Sequence, residues 1–469
     1  MSRIFHRALL LTVVLSIALI SPVLAQPPTA QVQRPASAVR AGDLSPAYTD
    51  PQVGQPAVAH VPALAPSQVV TITVLHTNDF HGNLELAGSN PGMARVADVI
   101  NDVRASVGAS NVVLLDAGDM MQGTLLSNLF QGESTIDVYK ALGYNAVTFG
   151  NHEFDWGQTV LISRTVQAAT PEPDRGTFSF VSANIVVNDT GSCDTAGWTS
   201  PSFARPWITM TVGAPGNQAV LGIVGVTSQE TPYITIAAAT QGLCFKDPAE
   251  SIIHYYDAIE TAGADAIVVL SHIGNTDGGY GYGFTVYGDQ TLARKLVDAG
   301  KPVPLIIGGH SHTDLAAAQV ISGTTVVQAH YAGRKVGQAT LVIDEATGAV
   351  NVSWQRLVVS TSGDEDATIK AVIDTWASDS WYQEQISRVV GYTNVDLVRD
   401  YNGDSLMGKF VNDAIYEDLN NDAQPLNDVD MVFNNAGGLR ADILTGGVTP
   451  YTLTHGLLYN VLPFGNQTI

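Results

Sequence analysis

The sequence predicts an α/β fold with two folded domains. Short apolar runs rich in β-branched residues alternate with segments of helical length, a pattern typical of strands connected by helices. With 469 residues, the chain is too long for a single hydrophobic core. Its hydrophobic content of 45% and charged content of 14% exclude a disordered chain. The net charge of −22 argues against a protein that binds nucleic-acid backbones, because such binding requires a basic surface.

The first 25 residues have the composition of a secretory signal peptide. Arg3 and Arg7 precede the apolar run 8–20, and small residues follow near position 25, as in the three regions of such peptides. The apolar run is shorter than the roughly 20 residues that a membrane-spanning helix requires. We therefore expect export to the periplasm, the extracellular space or the cell surface, without a transmembrane anchor. Residues 26–68, rich in proline and alanine, are expected to form a disordered spacer.

Residues 69–345 are predicted to form the first domain. Strands are expected at 69–75, 112–115, 146–149, 220–226, 266–270, 305–307, 326–329 and 339–343. Helices are expected at 94–105, 136–142, 249–262 and 290–299. The more polar segment 346–388 is interpreted as a connector with a helix at 367–377. The second domain is expected at 389–469, with a strand-like apolar segment at 457–462.

The two cysteines, Cys193 and Cys244, are expected to lie in an oxidising compartment if the chain is exported. A disulfide between them would close a loop of about 50 residues and stabilise the fold by about 4 kcal/mol. Two separate buried thiols are the alternative. Two cysteines are too few for a zinc site built from cysteine alone.

Several predicted strands end in short, polar turns that contain His, Asp or Asn beside glycine. These turns are 76–82, 116–119, 150–155, 271–274 and 308–312. Ligand sites in α/β sheets lie beyond the carboxyl ends of the strands, so we expect the turns to meet at one edge. A single His or Asp after a strand is commonly a turn or capping residue. Five such turns in one domain instead predict a metal site, since imidazole and carboxylate are ligands of Zn, Mn and similar ions.

The same motifs resemble those of the calcineurin-like metallophosphoesterases, and most closely those of the secreted 5′-nucleotidases and 2′,3′-cyclic-nucleotide phosphodiesterases. The resemblance covers about residues 69–345 and implies a β-sandwich flanked by helices, with two divalent metal ions. It implies the following ligands: Asp79, His81 and His312 for one ion, Asn151, His272 and His310 for the other, and Asp119 between them. It also implies that His152 is catalytic and is held by Asp155.

The second domain resembles the nucleotide-binding domain of the same enzymes. The matching segments are 404–414, 434–440 and 462–466. The resemblance implies that Asn435, Arg440 and Phe464 contact the substrate and that Arg399 matches a further phosphate-contacting arginine, although the glycine-rich segment could be an ordinary turn. Members of that family continue beyond this point, and the second aromatic residue of their base clamp lies in that part. We therefore expect a partial, shortened α/β nucleotidase domain with reduced selectivity for the base.

These observations predict an exported di-metal phosphohydrolase that removes phosphate from 5′-nucleotides through attack of a metal-activated water. The alternatives are a broad phosphomonoesterase or a 2′,3′-cyclic-nucleotide phosphodiesterase, and more distantly a metal-binding surface protein without turnover. The expected partner is a small nucleotide or another phosphoester, with no nucleic-acid surface. The sequence predicts neither the identity of the metals nor the oligomeric state.

Overall fold

The computed structural model describes residues 69–278, 282–421 and 428–463. The expected signal peptide, the spacer and Phe464 lie outside the described residues. The chain divides into two compact units. Of the described residues, the larger unit contains 69–122 and 130–374, and the smaller unit contains 123–129 and those from 375 onward. Within the described ranges, no helix combines the length and the hydropathy needed to cross a bilayer.

The secondary-structure elements of the described residues are numbered here in chain order. The strands are β1 (Val69–Thr77), β2 (Val112–Asp116), β3 (Ala146–Thr148), β4 (Ser179–Val181), β5 (Ile185–Val187), β6 (Trp207–Ala214), β7 (Asn217–Thr227), β8 (Leu243–Phe245), β9 (Ala266–His272), β10 (Leu305–Gly308), β11 (Gln319–Ile321), β12 (Thr324–Val327), β13 (Lys335–Asp344), β14 (Ala349–Val358), β15 (Val389–Thr393) and β16 (Tyr451–Thr454). The α-helices are α1 (Met93–Val107), α2 (Leu125–Leu129), α3 (Glu133–Leu142), α4 (Gly157–Ala169), α5 (Thr231–Ile234), α6 (Pro248–Thr261), α7 (Asp289–Asp298), α8 (Ala367–Ala377), α9 (Ser380–Ser387), α10 (Leu406–Asn421) and α11 (His455–Val461).

Two six-stranded sheets form the larger unit, in the orders β14-β13-β1-β2-β3-β4 and β11-β12-β10-β9-β7-β6. Strands β1 to β4 run parallel, as do β7, β9, β10 and β12, while the remaining pairings in the two sheets are antiparallel. Alternate residues of a strand point to the same face. Ile72 and Val74 of β1 therefore join Ile223 of β7 and Val268 of β9 in one buried cluster, which indicates that the sheets pack face to face.

Helices cover the other face of the second sheet. Ile252 and Ile259 of α6 and Leu292 of α7 are fully buried and share a cluster with Val269 of β9. Helix α6 begins where Asp247 accepts a hydrogen bond from the backbone of Glu250, an N-terminal cap that stabilises the first turn. The predicted β-sandwich flanked by helices is confirmed.

Two elements differ from the expectations. Strand β14 lies inside the segment that we interpreted as a connector, and it pairs antiparallel with β13 along its whole length. Its side chains alternate between exposed and partly buried, and this edge-strand pattern gives a polar sequence that resembles a linker.

The segment at 457–462, which we expected to be a strand, is the helix α11. Thr454 caps it by accepting a hydrogen bond from the backbone of Leu457. Leu458 and Val461 are buried three positions apart, which is the helical period rather than the alternation of a strand.

The smaller unit has a core of its own. Val390, Met407, Val411, Leu453 and Leu458, from β15, α10, β16 and α11, lie in one buried cluster. Helix α2 is attached to this unit: the amide nitrogen of Asn128 donates to the hydroxyl of Tyr459 at 2.8 Å and to the carbonyl of Pro463 at 3.0 Å.

Cys193 and Cys244 form a disulfide with their Cα atoms 5.4 Å apart, so the first of the two alternatives is confirmed. Cys244 lies on β8, opposite Val186 of β5. The bond spans 51 residues and ties this small sheet to the loop that holds Cys193.

Replacing both cysteines with alanine should lower the free energy of unfolding by about 4 kcal/mol, because the cross-link reduces the entropy of the unfolded chain. Guanidinium unfolding of the wild type with and without reductant measures the effect. Reductant should bring the wild type to the stability of the variant and leave the variant unchanged. Equal stability of the oxidised and reduced wild type would contradict the prediction.

Candidate metal centre

The five polar turns meet at the carboxyl ends of β1, β2, β3, β9 and β10, as the sequence predicts. Asp79 is fixed by its backbone N–H, which donates to Gly118 at 2.9 Å, and by its carboxylate, which accepts from the backbone of His310 at 2.9 Å. The backbone N–H of His81 donates to the carbonyl of Asp119 at 2.9 Å. Turns far apart in the sequence are thus bound directly to one another.

Asp79, His81 and His312 form the first ligand cluster, with one donor atom of each within 4.8 Å of the others. The Nε2 atoms of His81 and His312 are 3.0 Å apart, and Nε2 of His312 lies 3.5 Å from Oδ1 of Asp79. Nδ1 of His81 lies 2.9 Å from the carbonyl oxygen of Gln122. That acceptor holds the proton on Nδ1 and leaves the lone pair of Nε2 directed at the cluster.

Asp119, His272 and His310 form the second ligand cluster. Nε2 of His272 lies 3.1 Å from Oδ2 of Asp119 and 4.0 Å from Oδ1 of Asp79, so the two clusters adjoin. Asn151 lies beside the cluster, with its Oδ1 3.0 Å from Nδ1 of His310. The structure therefore brings together all seven residues that the sequence analysis proposed as ligands.

The donors of the two clusters fit divalent transition ions. Nε2 of His272 is buried and lies 3.1 Å from Oδ2 of Asp119, but among the described residues it has no partner in hydrogen-bonding geometry, while its Nδ1 lies 2.6 Å from the carbonyl of Ala117. A buried imidazole nitrogen that makes no hydrogen bond is typical of a metal ligand when a backbone carbonyl fixes the other nitrogen of the ring. Imidazole nitrogens combined with carboxylate and amide oxygens suit Zn, Mn and similar ions.

The backbone is strained where the ligands lie. The candidate ligands with a left-handed backbone, at φ between 50° and 70°, are Asp79, His81, Asp119, His310 and His312. Residues with a side chain rarely adopt this conformation, and such positions are concentrated at functional sites. At Gly118, with φ of 89°, a Cβ atom would lie 2.8 Å from Nδ1 of His272, so this turn requires glycine.

His152 and Asp155 form a pair next to the second ligand cluster. Nδ1 of His152 lies 2.6 Å from Oδ2 of Asp155, and the backbone N–H of His152 donates to Oδ1 of Asp119 at 2.9 Å. Burial lowers the pKa of His152, but Asp119 and Asp155 outweigh this effect and raise it to about 9. Thr235 donates to the other oxygen of Asp155 at 3.1 Å, which fixes the carboxylate.

Sequence reasoning missed two carboxylates that support the centre. The side chain of Glu153 accepts from the backbone N–H groups of Gly150 at 2.7 Å, Asp119 at 2.8 Å and Met120 at 2.9 Å. It therefore fastens the turn after β2 to the turn after β3. Burial, followed by the nearby Asp119, raises the pKa of Glu153 to about 8.

Glu230 is the second missed residue. Its Oε1 lies 2.7 Å from Nε2 of His310 and orients that imidazole. Glu230 follows β7, whose carboxyl end lies at the same sheet edge as those of β9 and β10. The position of β7 was the signal that could have identified it, since no glycine or histidine marks this turn.

In the smaller unit, a cavity of about 110 Å³ is lined by Arg399, Asp400, Tyr401, Ser405, Gly408, Asn412, Asn434, Ala436 and Leu439. Nε of Arg399 donates to Oδ1 of Asp442 at 2.9 Å. Arg440 is exposed and donates to the carbonyl of Gly437 at 3.2 Å, and Asn435 accepts from the backbone of Gly437 at 3.1 Å. Of the four proposed substrate contacts, Arg399 alone lines this cavity among the described residues, and Phe464 lies outside them.

Comparison with curated proteins finds 5′-nucleotidases. Bovine 5′-nucleotidase is 29% identical over 432 residues, covering 84% of this chain and 68% of the relative. The snake venom 5′-nucleotidase of Gloydius brevicauda is 28% identical over 426 residues, covering 84% of this chain and 66% of the relative. The chain thus spans about two thirds of the length of these relatives.

Comparison with solved structures finds a 5′-nucleotidase and a calcineurin-like phosphoesterase. A 5′-nucleotidase precursor of Thermus thermophilus matches with a TM-score of 0.63 and 27% identity, covering 84% of this chain and 74% of that one. A calcineurin-like phosphoesterase of Bacillus subtilis is similar in fold, with a TM-score of 0.53 and 22% identity over 66% of this chain and 98% of that one.

Two family models match the chain. Residues 388–469 match the 5′-nucleotidase C-terminal domain, and residues 72–314 match the calcineurin-like phosphoesterases. Phosphoesterases of this kind use two divalent metal ions, in agreement with the two ligand clusters. The match at residues 72–314 spans more than half of the chain, so the chain belongs to the calcineurin-like phosphoesterase family.

Proposed function

We propose that the protein is an exported, metal-dependent 5′-nucleotidase that releases phosphate from nucleotides. The observation that carries this proposal is the pair of adjoining ligand clusters with the His152–Asp155 pair beside them. A match to the 5′-nucleotidase C-terminal domain in the same chain supports nucleotides as the substrate class. Export is supported by the composition of residues 1–25 and by relatives that are venom 5′-nucleotidases.

Asp79, His81 and His312 would hold one divalent ion, and Asn151, His272 and His310 the other, with Asp119 between them. Such a pair of ions, when bound, supplies a water activated for attack on phosphorus and polarises the phosphoryl oxygens. Asp79, Asp119 and His272 are almost completely buried, and the low local dielectric strengthens their electrostatic interactions.

His152 would donate a hydrogen bond through Nε2 to the transferring phosphoryl group or to the leaving oxygen. Asp155 acts as its positioning residue, because the 2.6 Å contact with Nδ1 fixes the tautomer and the plane of the ring. Asp119 also helps to position His152, by accepting a hydrogen bond from the backbone N–H of His152.

Asn435, Arg440, Phe464 and Arg399 are the proposed contacts to the nucleoside and its phosphate. Support comes from the cavity in the smaller unit, whose lining includes Arg399 and Tyr401. A guanidinium binds phosphate through charge-assisted hydrogen bonds, and an aromatic ring provides a stacking face for a base.

A broad phosphomonoesterase remains the second candidate. The ligand clusters and the His152–Asp155 pair all lie in the larger unit, which favours chemistry on phosphoesters that carry no base.

Dialysis against a chelator should abolish phosphate release from AMP, and added Mn²⁺ or Zn²⁺ should restore it, because both clusters require ions for turnover. Chromatography of the products from AMP, 2′,3′-cyclic AMP and p-nitrophenyl phosphate separates the candidates, because opening of the cyclic diester yields a phosphomonoester and releases no phosphate. Preference for AMP supports the 5′-nucleotidase, whereas equal rates on all three indicate the broad enzyme. Release of phosphate that persists without metal would refute both.

His152→Ala should lower kcat on AMP by about 10²- to 10⁴-fold, the usual contribution of a positioned proton donor, and leave the bound metal unchanged. Phosphate release and elemental analysis of the same preparation measure the two effects. His254→Ala is the matched control, since His254 is exposed and stacks on Trp198 with ring centroids 4.1 Å apart. If the His152 variant retains wild-type kcat, the proposed role is wrong.

Glu230→Gln should weaken metal affinity by about 10- to 100-fold, because the contact that orients His310 becomes a neutral one. Competition with a chromophoric chelator measures the affinity. Glu250→Gln, at an exposed position in the first turn of α6, serves as the control. Unchanged affinity in the Glu230 variant would show that His310 needs no such support.

A further inference from the structure

The ring of Tyr331 stacks on the imidazole of the candidate ligand His312. Their centroids lie 4.8 Å apart and their planes differ by 19°. The side chain of His312 is 27% exposed, whereas that of His272 is fully buried, so packing alone restrains His312 less. The lone pair of Nε2 lies in the plane of its ring. A contact that holds this plane therefore sets the direction in which His312 can bind an ion.

The backbone on both sides of Tyr331 is bound to the ligand turns. The N–H of His330 donates to the carbonyl of Thr313 at 3.1 Å. The N–H of Ala332 donates to the carbonyl of Asp79 at 2.8 Å. His330 and Ala332 have left-handed backbones, with φ of 64° and 55°. Residues with a side chain rarely adopt this conformation, and it persists where the surrounding contacts require it. A strained segment thus places Tyr331 against the first ligand cluster.

Arg334 restrains the ring of Tyr331 in turn. Its guanidinium carbon lies 4.2 Å from the centroid of that ring, which is a cation–π contact. The Nε–H of Arg334 donates to Oδ1 of Asn90 at 2.8 Å. Nδ2 of Asn90 donates to Oδ1 of Asn83 at 2.6 Å, and Nδ2 of Asn83 donates to the carbonyl of His81 at 3.2 Å. A continuous series of contacts therefore runs from Tyr331 to His81, the other histidine of the first ligand cluster.

The two ends of this series meet inside the first ligand cluster. The Nε2 atoms of His81 and His312 are 3.0 Å apart. An ion that binds both nitrogens requires both rings to be held in one orientation, since ordering a mobile ligand is a cost that binding must offset. The flat face of Tyr331 restricts rotation of the imidazole, which an aliphatic side chain of similar volume does less well.

We propose that Tyr331 is a positioning residue for the first ligand cluster, in which it fixes the imidazole plane of His312 while Arg334 fixes Tyr331. This inference rests on the part of the proposed function that assigns an ion to this cluster. It makes no assumption about the substrate. Because the stacked imidazole belongs to the first ligand cluster, the effect is confined mainly to one of the two ions.

The test measures metal affinity in the absence of substrate. Protein freed of metal with a chelator is titrated with Mn²⁺ against a chromophoric chelator, which gives a dissociation constant for each ion. Tyr331→Leu keeps an apolar side chain but removes the ring. It should weaken binding at the first ligand cluster by about tenfold and change binding at the second by less than about threefold. Tyr331→Phe keeps the ring and should retain both wild-type constants.

Three further variants complete the comparison. His81→Ala removes a ligand and thereby identifies which constant belongs to the first ligand cluster. Arg334→Lys keeps the positive charge but lacks the planar guanidinium that contacts Asn90, and it should weaken the same constant by about threefold. Tyr392→Leu, at an exposed position on β15, is the control for loss of a tyrosine and should leave both constants unchanged.

Equal weakening of both constants in Tyr331→Leu would mean that the ring only supports the fold, and an unchanged first constant would mean that it does not position His312. Either result overturns the inference and leaves the nucleotidase proposal standing. If Tyr331→Leu does not fold, which circular dichroism detects, the constant of Arg334→Lys decides. If His81→Ala loses no ion, the ligand assignment of the proposed function is wrong and the inference fails with it.

Discussion

Every polar atom of Asp119 is engaged by a different residue of the candidate metal centre. Its backbone N–H donates to Glu153 at 2.8 Å, and its carbonyl accepts from His81 at 2.9 Å. One carboxylate oxygen accepts from the backbone of His152 at 2.9 Å, and the other lies 3.1 Å from His272. Asp119 thus holds together the two ligand clusters and the His152–Asp155 pair. These contacts explain why Asp119 tolerates a left-handed backbone.

The sandwich provides the rigidity that this residue requires. His81 and His312 are 231 positions apart, yet their ring nitrogens come within 3.0 Å because β1 and β10 end at the same edge of the packed sheets. The strands are buried on their inner face and fixed by continuous pairing, so each turn begins from a defined point. The ligand residues therefore have few alternative positions. The strand pairing around them stabilises their strained backbone conformations.

The centre could be predicted from the sequence where its residues lie in glycine-rich turns after apolar strands, as with His81 and His310. Glu230 was missed because its turn follows the same rule without glycine or histidine to mark it.

Strand β14 was missed because an edge strand with one solvated face has the composition of a linker. Helix α11 was assigned as a strand because a run of apolar residues is ambiguous in period until the Thr454 cap is recognised. Short-range patterns specify residues that act locally and miss those that depend on pairing across the fold.

Buried like charges explain why such a centre needs cations. Asp79 and Asp119 are both buried and lie on either side of His272. Burial, together with Asp119, raises the pKa of Asp79 well above its usual range. Burial acts on Asp119 in the same direction, but His272 and His152 outweigh it and hold that pKa well below its usual range. Asp79 is therefore the carboxylate whose charge the surrounding groups offset less, although Nε2 of His312 lies 3.5 Å from its Oδ1. A divalent ion between Asp79, His81 and His312 would supply that missing charge, so the first ligand cluster depends on its ion for electrostatic balance as well as for chemistry.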